Sequence, residues 1–197
     1  MKEKEKAMKT IKMIRHGLKT ADNHITAECL EGIRKYGIPG LYANINRFHK
    51  GSACVRTEET SLAVADWVKD NCGNVNQEFL EADARFGSDA MFAEMITPDF
   101  KAMRAETGKG NFEVLRKTSK TEDFERWSVG MYQALEDAFD QLDDGDVCII
   151  ATHSPTVEML VNRILGGNLV DLQTKELEGV TFFQDDHGTI FVTSLCA

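Results

Sequence analysis

Several side chains suited to phosphate chemistry stand at the ends of strand-like apolar runs in this chain of 197 residues. Arginine offers a planar fork that matches phosphate oxygens, and histidine can accept and return a charged group near neutral pH. The candidates are Arg15 and His16, Arg56, the acidic pair Glu81 and Asp83, and His153. Their residue types predict a site that binds and transfers a phosphoryl group.

These candidates are far apart in sequence, and a sheet is needed to bring them together. In a parallel sheet the carboxyl ends of the strands lie along one edge, where open α/β folds bind ligands. Arg56 and His153 also stand just before predicted helices, whose amino termini favour an anion. Gly17 follows His16 and lets the backbone turn sharply or approach a ligand closely, because it has no Cβ.

The composition is that of a globular protein with one domain. Hydrophobic residues make up 42% and charged residues 28% of the chain, and its length suits one well-buried core. The net charge of −9 argues against a wide nucleic-acid surface, and no apolar run is long enough to span a membrane. Residues 1–8 have mixed charge and no apolar centre, so they are predicted to form a disordered tail rather than a signal peptide.

The five cysteines are odd in number, widely spaced and without a Cys-x-x-Cys pair. They are predicted to be buried thiols of a reduced, cytoplasmic protein rather than a disulfide or zinc framework. The histidines also lack the spacing of a metal site, so no metal is predicted.

The apolar periodicity predicts strands alternating with helices in a layered α/β domain. The predicted strands are 10–14, 52–55, 75–80 and 147–151, followed by a terminal hairpin of 180–184 and 189–194. The predicted helices are 26–36 with Thr26 as N-cap, 57 to about 73, 122–142, and one that Ser154 caps with Pro155 at its first position. Residues 41–48 are either a short helix or irregular, and 88–121 form a partly helical cap inserted into the single domain 1–197.

Taken together, these motifs resemble those of the histidine phosphatase superfamily, which includes the phosphoglycerate mutases and many phosphomonoesterases. The resemblance covers about residues 9–195. It rests on Arg15-His16-Gly17, on Ser52 followed by Arg56-Thr57, on Ile25-Thr26 at a helix entry, and on the strand from Val147 that ends in His153. It implies a three-layer sandwich with a mostly parallel central sheet, helices on both faces and a small inserted cap.

The resemblance also implies a role for each matched residue. His16 would be the nucleophile, and Arg15, Arg56 and His153 would hold the phosphoryl oxygens, with no cofactor. Asp83 lies four residues before Gly87, where the family often has the glutamate that protonates the leaving group. Asp83 is the preferred donor, and Glu81 is the alternative.

These features imply a phosphatase that hydrolyses phosphomonoesters, or a phosphohistidine, of a small molecule or a phosphoprotein. Two alternatives stay open. One is a phosphoglycerate-type mutase, which Asp22 disfavours because mutases usually carry Asn at that place. The other is a pseudoenzyme that binds a phosphorylated ligand without turnover, because Asp83 replaces Glu and Ser154-Pro155 follow the second histidine. Phe92 and other apolar residues of the cap are predicted to pack in the core rather than line a substrate pocket.

Overall fold

A six-stranded sheet forms the centre of the molecule in the computed structural model, which describes residues 7–38, 41, 44–72, 79–168 and 172–194. Its strands are β1 (Lys9–Arg15), β2 (Arg47–His49), β3 (Phe79–Leu80), β4 (Val147–Thr152), β5 (Gly179–Gln184) and β6 (Ile190–Ser194). They are ordered β3-β2-β4-β1-β5-β6. The first four of these are mutually parallel, whereas β5 and β6 run antiparallel to their neighbours, so the sheet is mostly parallel.

Seven α-helices connect and cover these strands in the described part of the chain. They are α1 (Ala27–Tyr36), α2 (Val55–Cys72), α3 (Asp89–Met95), α4 (Pro98–Thr107), α5 (Asn111–Thr118), α6 (Thr121–Asp140) and α7 (Thr156–Ile164), and a 3-10 helix spans Ala84–Phe86. The predicted cap segment therefore contains α3, α4 and α5. None of the described helices combines the length and apolar character needed to cross a bilayer.

Side chains that alternate along the central strands build two separate cores. Ile11 and Met13 point to a core shared with α6 and α7, whereas Ile14 of the same strand packs with α1 and α2. This period of two is what a strand requires when both faces of its sheet are covered. The predicted three-layer arrangement, with helices on both faces, is confirmed.

The carboxyl ends of two strands meet at one edge of this sheet. Strands β1 and β4 are paired so that Arg15 lies opposite Thr152. The backbone N–H of His16 then donates to the carbonyl of Thr152 at 2.8 Å. Because His153 directly follows Thr152, the register alone brings the two histidines side by side.

Helix α1 and the terminal hairpin agree with the sequence prediction. The Thr26 hydroxyl accepts a hydrogen bond from the N–H of Cys29, and Gly37 ends the helix with a φ of 70°. Each of these helix-end signals acts over three or four residues, so it depends little on contacts with distant parts of the chain.

The predicted strand at 52–55 is wrong. Residues 52–54 form a turn, and α2 begins at Val55, two residues earlier than predicted. The Thr57 hydroxyl lies within hydrogen-bonding distance of the carbonyls of Ser52 and Cys54, at 2.9 and 2.7 Å, which holds the chain bent. The edge strand is instead β2, inside the segment predicted to be a short helix or irregular.

Ser154 is not the N-cap of α7. Pro155 occupies that position without a side-chain cap, and the Ser154 hydroxyl donates instead to Glu158. Among the described cysteines, Cys54 and Cys148 are buried as predicted, whereas Cys29 is half-buried and Cys72 is exposed, and none is in a disulfide. The tail at 1–6 and most of the predicted strand 75–80 lie outside the described residues.

Candidate active site

His16 occupies the turn that follows β1, and only 6% of its surface is exposed. Its Nδ1 lies 2.7 Å from the carbonyl oxygen of Gly17. A carbonyl can only accept, so Nδ1 carries the proton and Nε2 keeps its lone pair. Burial, Arg56 and Arg15 together lower the pKa of His16 to about 4, against the opposing effect of the Gly17 hydrogen bond. The imidazole is therefore neutral at physiological pH, and its lone pair is on Nε2.

Position 17 is closely packed against α1. A Cβ built there would lie 2.5 Å from the sulfur of Cys29, so a larger residue would force the Cys29 side chain to move. The close approach of the two segments explains why the sequence changes from a strand to glycine at this point.

Arg56 connects the two histidines. It is the second residue of α2 and is 7% exposed. Its Nε lies 3.3 Å from Nε2 of His16, and its Nη2 lies 3.3 Å from Nδ1 of His153. A guanidinium held by two imidazoles at the start of a helix presents a fixed positive charge that could bind an anion next to His16.

His153 is 2% exposed, and its ring centroid lies 5.0 Å from that of His16. Because Arg56 donates to Nδ1, the proton of a neutral His153 resides on Nε2, which lies 2.7 Å from the Ser52 hydroxyl. Burial lowers the pKa of His153 well below its usual value, and Arg56 adds to this effect. A neutral His153 thus orients Arg56 through Nδ1 and contacts Ser52 through Nε2.

Gly87 and Phe92 form the wall behind His153. The Phe92 ring centroid lies 4.6 Å from that of His153, and Gly87 has a φ of 140°. A Cβ on Gly87 would lie 2.7 Å from Cδ2 of His153. This glycine therefore lets the 3-10 helix and α3 pack directly against the imidazole.

Arg15 lies at the same edge but is bound to protein groups. Its Nη1 donates to the Thr174 carbonyl at 2.9 Å, and its Nη2 lies 2.6 Å from the Glu176 carboxylate. Both partners belong to the segment just before β5. One face of the guanidinium is therefore held in place by a neighbouring segment that the sequence did not single out.

A cavity of about 470 Å³ opens over these groups. It is lined by the predicted Arg15, His16, Arg56 and His153, and by Leu18, Lys19, Asn23, Asp89, Phe92, Ile96, Arg104, Asn111, Ser154 and Glu176. Positively and negatively charged side chains therefore lie together in this cavity, and the chain as a whole has a negative net charge. A slightly larger cavity of about 570 Å³, near Tyr132 and Arg163, contains none of the predicted residues.

Asp83 and Glu81 are not among the lining residues. The Asp83 carboxylate accepts hydrogen bonds from the Arg85 backbone and guanidinium at 2.5–3.1 Å. Burial would raise the pKa of Asp83, but the Arg85 hydrogen bonds outweigh it and lower the pKa. Glu81 is 82% exposed and pairs with Lys50 at 2.8 Å. In this structure both carboxylates are engaged with cations away from the cavity.

Asp89 is the carboxylate that sequence reasoning missed. It is the first residue of α3, which Ser88 caps, and it lines the cavity near Cys54, whose sulfur lies 3.8 Å from Oδ1. A capping serine directly after Phe86-Gly87 is a signal for a helix start there. Nothing local in the sequence marks Lys19, Arg104, Asn111 or Glu176, which reach the cavity from separate segments.

The cap contributes less apolar surface to the cavity than to the core. Met95 and Phe100 are buried in the core as predicted, whereas Phe92 and Ile96 line the cavity. His24 lies near the cavity rim but binds Glu59, whose Oε1 is 2.7 Å from its Nδ1. In the described part of the chain, no group of three or more His, Cys, Asp or Glu is arranged to hold a metal ion.

Comparison with solved structures identifies the fold. A phosphoglycerate mutase from Bacillus anthracis str. Sterne superimposes with a TM-score of 0.63 at 14% identity, covering 96% of this chain and 93% of that one. A phosphoserine phosphatase from Entamoeba histolytica, in complex with 3-phosphoglyceric acid, gives 0.56 at 16% identity, covering 95% and 96%. No protein-family model and no curated protein matches the sequence.

The chain therefore shares the α/β fold of these phosphoglycerate mutase and phosphoserine phosphatase structures, which agrees with the fold that the resemblance of its motifs implies. Structural neighbours with this fold include both phosphatases and mutases of phosphorylated compounds.

Proposed function

We propose that this protein is a metal-independent phosphatase that hydrolyses phosphomonoesters through a phosphohistidine on His16. One observation carries the proposal. The neutral His16 has its proton fixed on Nδ1 by Gly17, so the Nε2 lone pair faces Arg56 in a cavity that also contains Arg15 and His153. Phosphoryl transfer needs little from a protein except a positioned nucleophile and positive charge around the equatorial oxygens.

The first half-reaction forms a bond between Nε2 of His16 and phosphorus while the ester P–O bond breaks. The charge of the transferred group is balanced by Arg56 and by the free face of Arg15. His153 holds Arg56 in position through its Nδ1. In the second half-reaction water attacks phosphorus, the P–N bond breaks, and inorganic phosphate leaves.

The leaving oxygen needs a proton in the first half-reaction. Asp89 is the better placed donor, because it lines the cavity and forms no ion pair among the described residues. Asp83, and Glu81 as its alternative, could act only after release from Arg85 and Lys50 respectively. After proton transfer, the same carboxylate accepts a proton from the attacking water.

The substrate is a phosphorylated small molecule or a phosphoprotein. The cavity continues into a groove that shares Ile96, Arg104 and Asn111 with it and adds Phe100 and Lys101. The phosphoryl group of the substrate occupies the end near His16, and its leaving group extends toward this groove. The net charge of −9 disfavours nucleic acid as the substrate.

The experiment is a trap for the intermediate. Turnover of a labelled aryl phosphate is quenched in alkali, because a phosphoramidate is stable in base and labile in acid, unlike a phosphoserine ester. Label should appear on the wild type and on His187→Ala, a control at an exposed turn, and should be absent from His16→Ala. Label on a serine or cysteine, or label that persists in His16→Ala, would refute the mechanism.

A mutase is the second candidate, and one observation favours it. Lys19 and Arg104 line the cavity in addition to the two arginines of the phosphate site. Further cations there could retain a second anionic group while the phosphoryl group is returned to a different oxygen. Isomerisation of a phosphoglycerate without net release of phosphate would favour the mutase over the phosphatase.

A further inference from the structure

Glu158 is a buried carboxyl that the proposed reaction does not use. It lies in the first turn of α7, five residues after His153, and is 1% exposed. Among the described residues no ion pair includes it, although a buried carboxylate is costly without a cation. Its contacts point toward the active site.

One oxygen of Glu158 joins two walls of the cavity. Oε1 accepts a hydrogen bond from the Ser154 hydroxyl at 2.8 Å and another from the backbone N–H of Thr174 at 2.9 Å. Ser154 lines the cavity, and the carbonyl of Thr174 accepts a hydrogen bond from Nη1 of Arg15. Thr174 therefore connects Glu158 to Arg15, the last residue of β1.

The buried position of this carboxyl affects its protonation state. Oε2 of Glu158 and the hydroxyl of Thr174 are both buried and have no hydrogen-bond partner in the structure. Burial raises the pKa of Glu158, against the effect of its hydrogen bonds from Thr174 and Ser154. This shift favours the neutral carboxyl, in which Oε1 still accepts the hydrogen bonds from Ser154 and Thr174.

We propose that Glu158 is a positioning residue that holds Arg15 in the phosphate site by anchoring the backbone of Thr174. The inference rests on the proposed function, because it takes the cavity to be a phosphate site. Without Glu158, the Thr174 N–H loses its buried acceptor, and the segment that orients Arg15 is free to move. Small displacements of a charged group beside a transferred phosphoryl group are costly, as catalysis there depends on position.

The test is a double-mutant cycle read by the affinity for inorganic phosphate, measured by calorimetry. Glu158→Leu should weaken phosphate binding about tenfold, and it should cause no further loss in an Arg15→Ala background. Glu158→Gln should bind phosphate within about twofold of the wild type, because the amide oxygen keeps an acceptor for the N–H of Thr174 and the hydroxyl of Ser154. Glu136→Leu, at an exposed position of α6, is the matched control for replacing a glutamate with leucine.

The inference would be overturned if Glu158→Leu lowered the phosphate affinity equally in the wild-type and Arg15→Ala backgrounds. It would also be overturned if Glu158→Gln weakened phosphate binding as much as Glu158→Leu does. If Glu158→Leu does not fold, Glu158→Asp replaces it, because a shorter carboxyl loses the reach to Thr174. Wild-type phosphate affinity in that variant would also overturn the inference. Phosphate binding without His16 labelling would refute the proposed function alone, whereas a wild type that binds no phosphate would refute both.

Discussion

Acidification to pH 5 should leave His16 unprotonated, and this is the most direct check on the proposed nucleophile. The pKa of His16 is lowered from 6.5 to about 4, first by burial and then by Arg56 and Arg15. At pH 5 a group with a pKa of about 4 is roughly 90% neutral, whereas an imidazole with a pKa of about 6.5 is roughly 3% neutral. The structure therefore predicts about 30-fold more nucleophile at this pH than an exposed histidine would supply.

Long-range ¹H–¹⁵N spectra of the imidazoles measure this directly between pH 7.5 and 5, with His16→Ala identifying the signals. The expected spectrum shows a neutral ring protonated on Nδ1 throughout the range. His24 provides an internal contrast, because its hydrogen bond with Glu59 raises its pKa and it should be protonated first. A His16 midpoint near 6.5, or a proton on Nε2, would refute the argument from burial and from the Gly17 hydrogen bond.

Arg56→Lys should lower kcat/KM by roughly 10- to 100-fold, because an ammonium keeps the positive charge but cannot contact both histidines. Near wild-type values of kcat/KM in steady-state kinetics would mean that Arg56 lies outside the site. Asp89→Asn should slow alkyl phosphates by about 10²–10⁴-fold and an activated aryl phosphate much less, since a good leaving group needs little protonation. The opposite pattern, with Asp83→Asn impaired and Asp89→Asn unchanged, would identify Asp83 as the donor. Glu176→Gln removes a negative charge 2.6 Å from Arg15 and should tighten phosphate binding about fivefold, as measured by calorimetry. Weaker phosphate binding in this variant would mean that the Glu176 carboxylate mainly orients Arg15.

The side chains at the centre of the cavity could be predicted from the sequence because their signals are local. An apolar strand that ends in Arg15-His16-Gly17 must place the histidine at the edge of a sheet, and a second strand ends in His153 in the same way. Parallel pairing of two such strands is then sufficient to bring the imidazoles together, as the register of β1 and β4 shows. The same locality explains the success at α1, where Thr26 and Gly37 mark both ends.

The identity of the free carboxylate could not be predicted in this way. Asp83 stands at the position that the motif predicts, but Arg85 holds it, and Arg85 is also bound by Asp137 of α6, 52 residues away. That pairing exists only after α6 has packed beside the 3-10 helix. The error at 52–55 has a similar origin, because a short apolar run is equally compatible with a strand and with a turn that packs against a neighbouring strand.

By itself, then, the sequence determined the α/β layering, the ends of β1 and β4, and the pair of histidines that meet there, since each depends on short-range periodicity and on residues that stop a strand or a helix. Only the tertiary structure decided how the cavity is lined. Asp89, Arg104 and Glu176 arrive from the cap and from the segment before β5, and Glu158 anchors the latter from behind. Such positions depend on contacts between segments that are distant in the chain, and no local pattern in the sequence records those contacts.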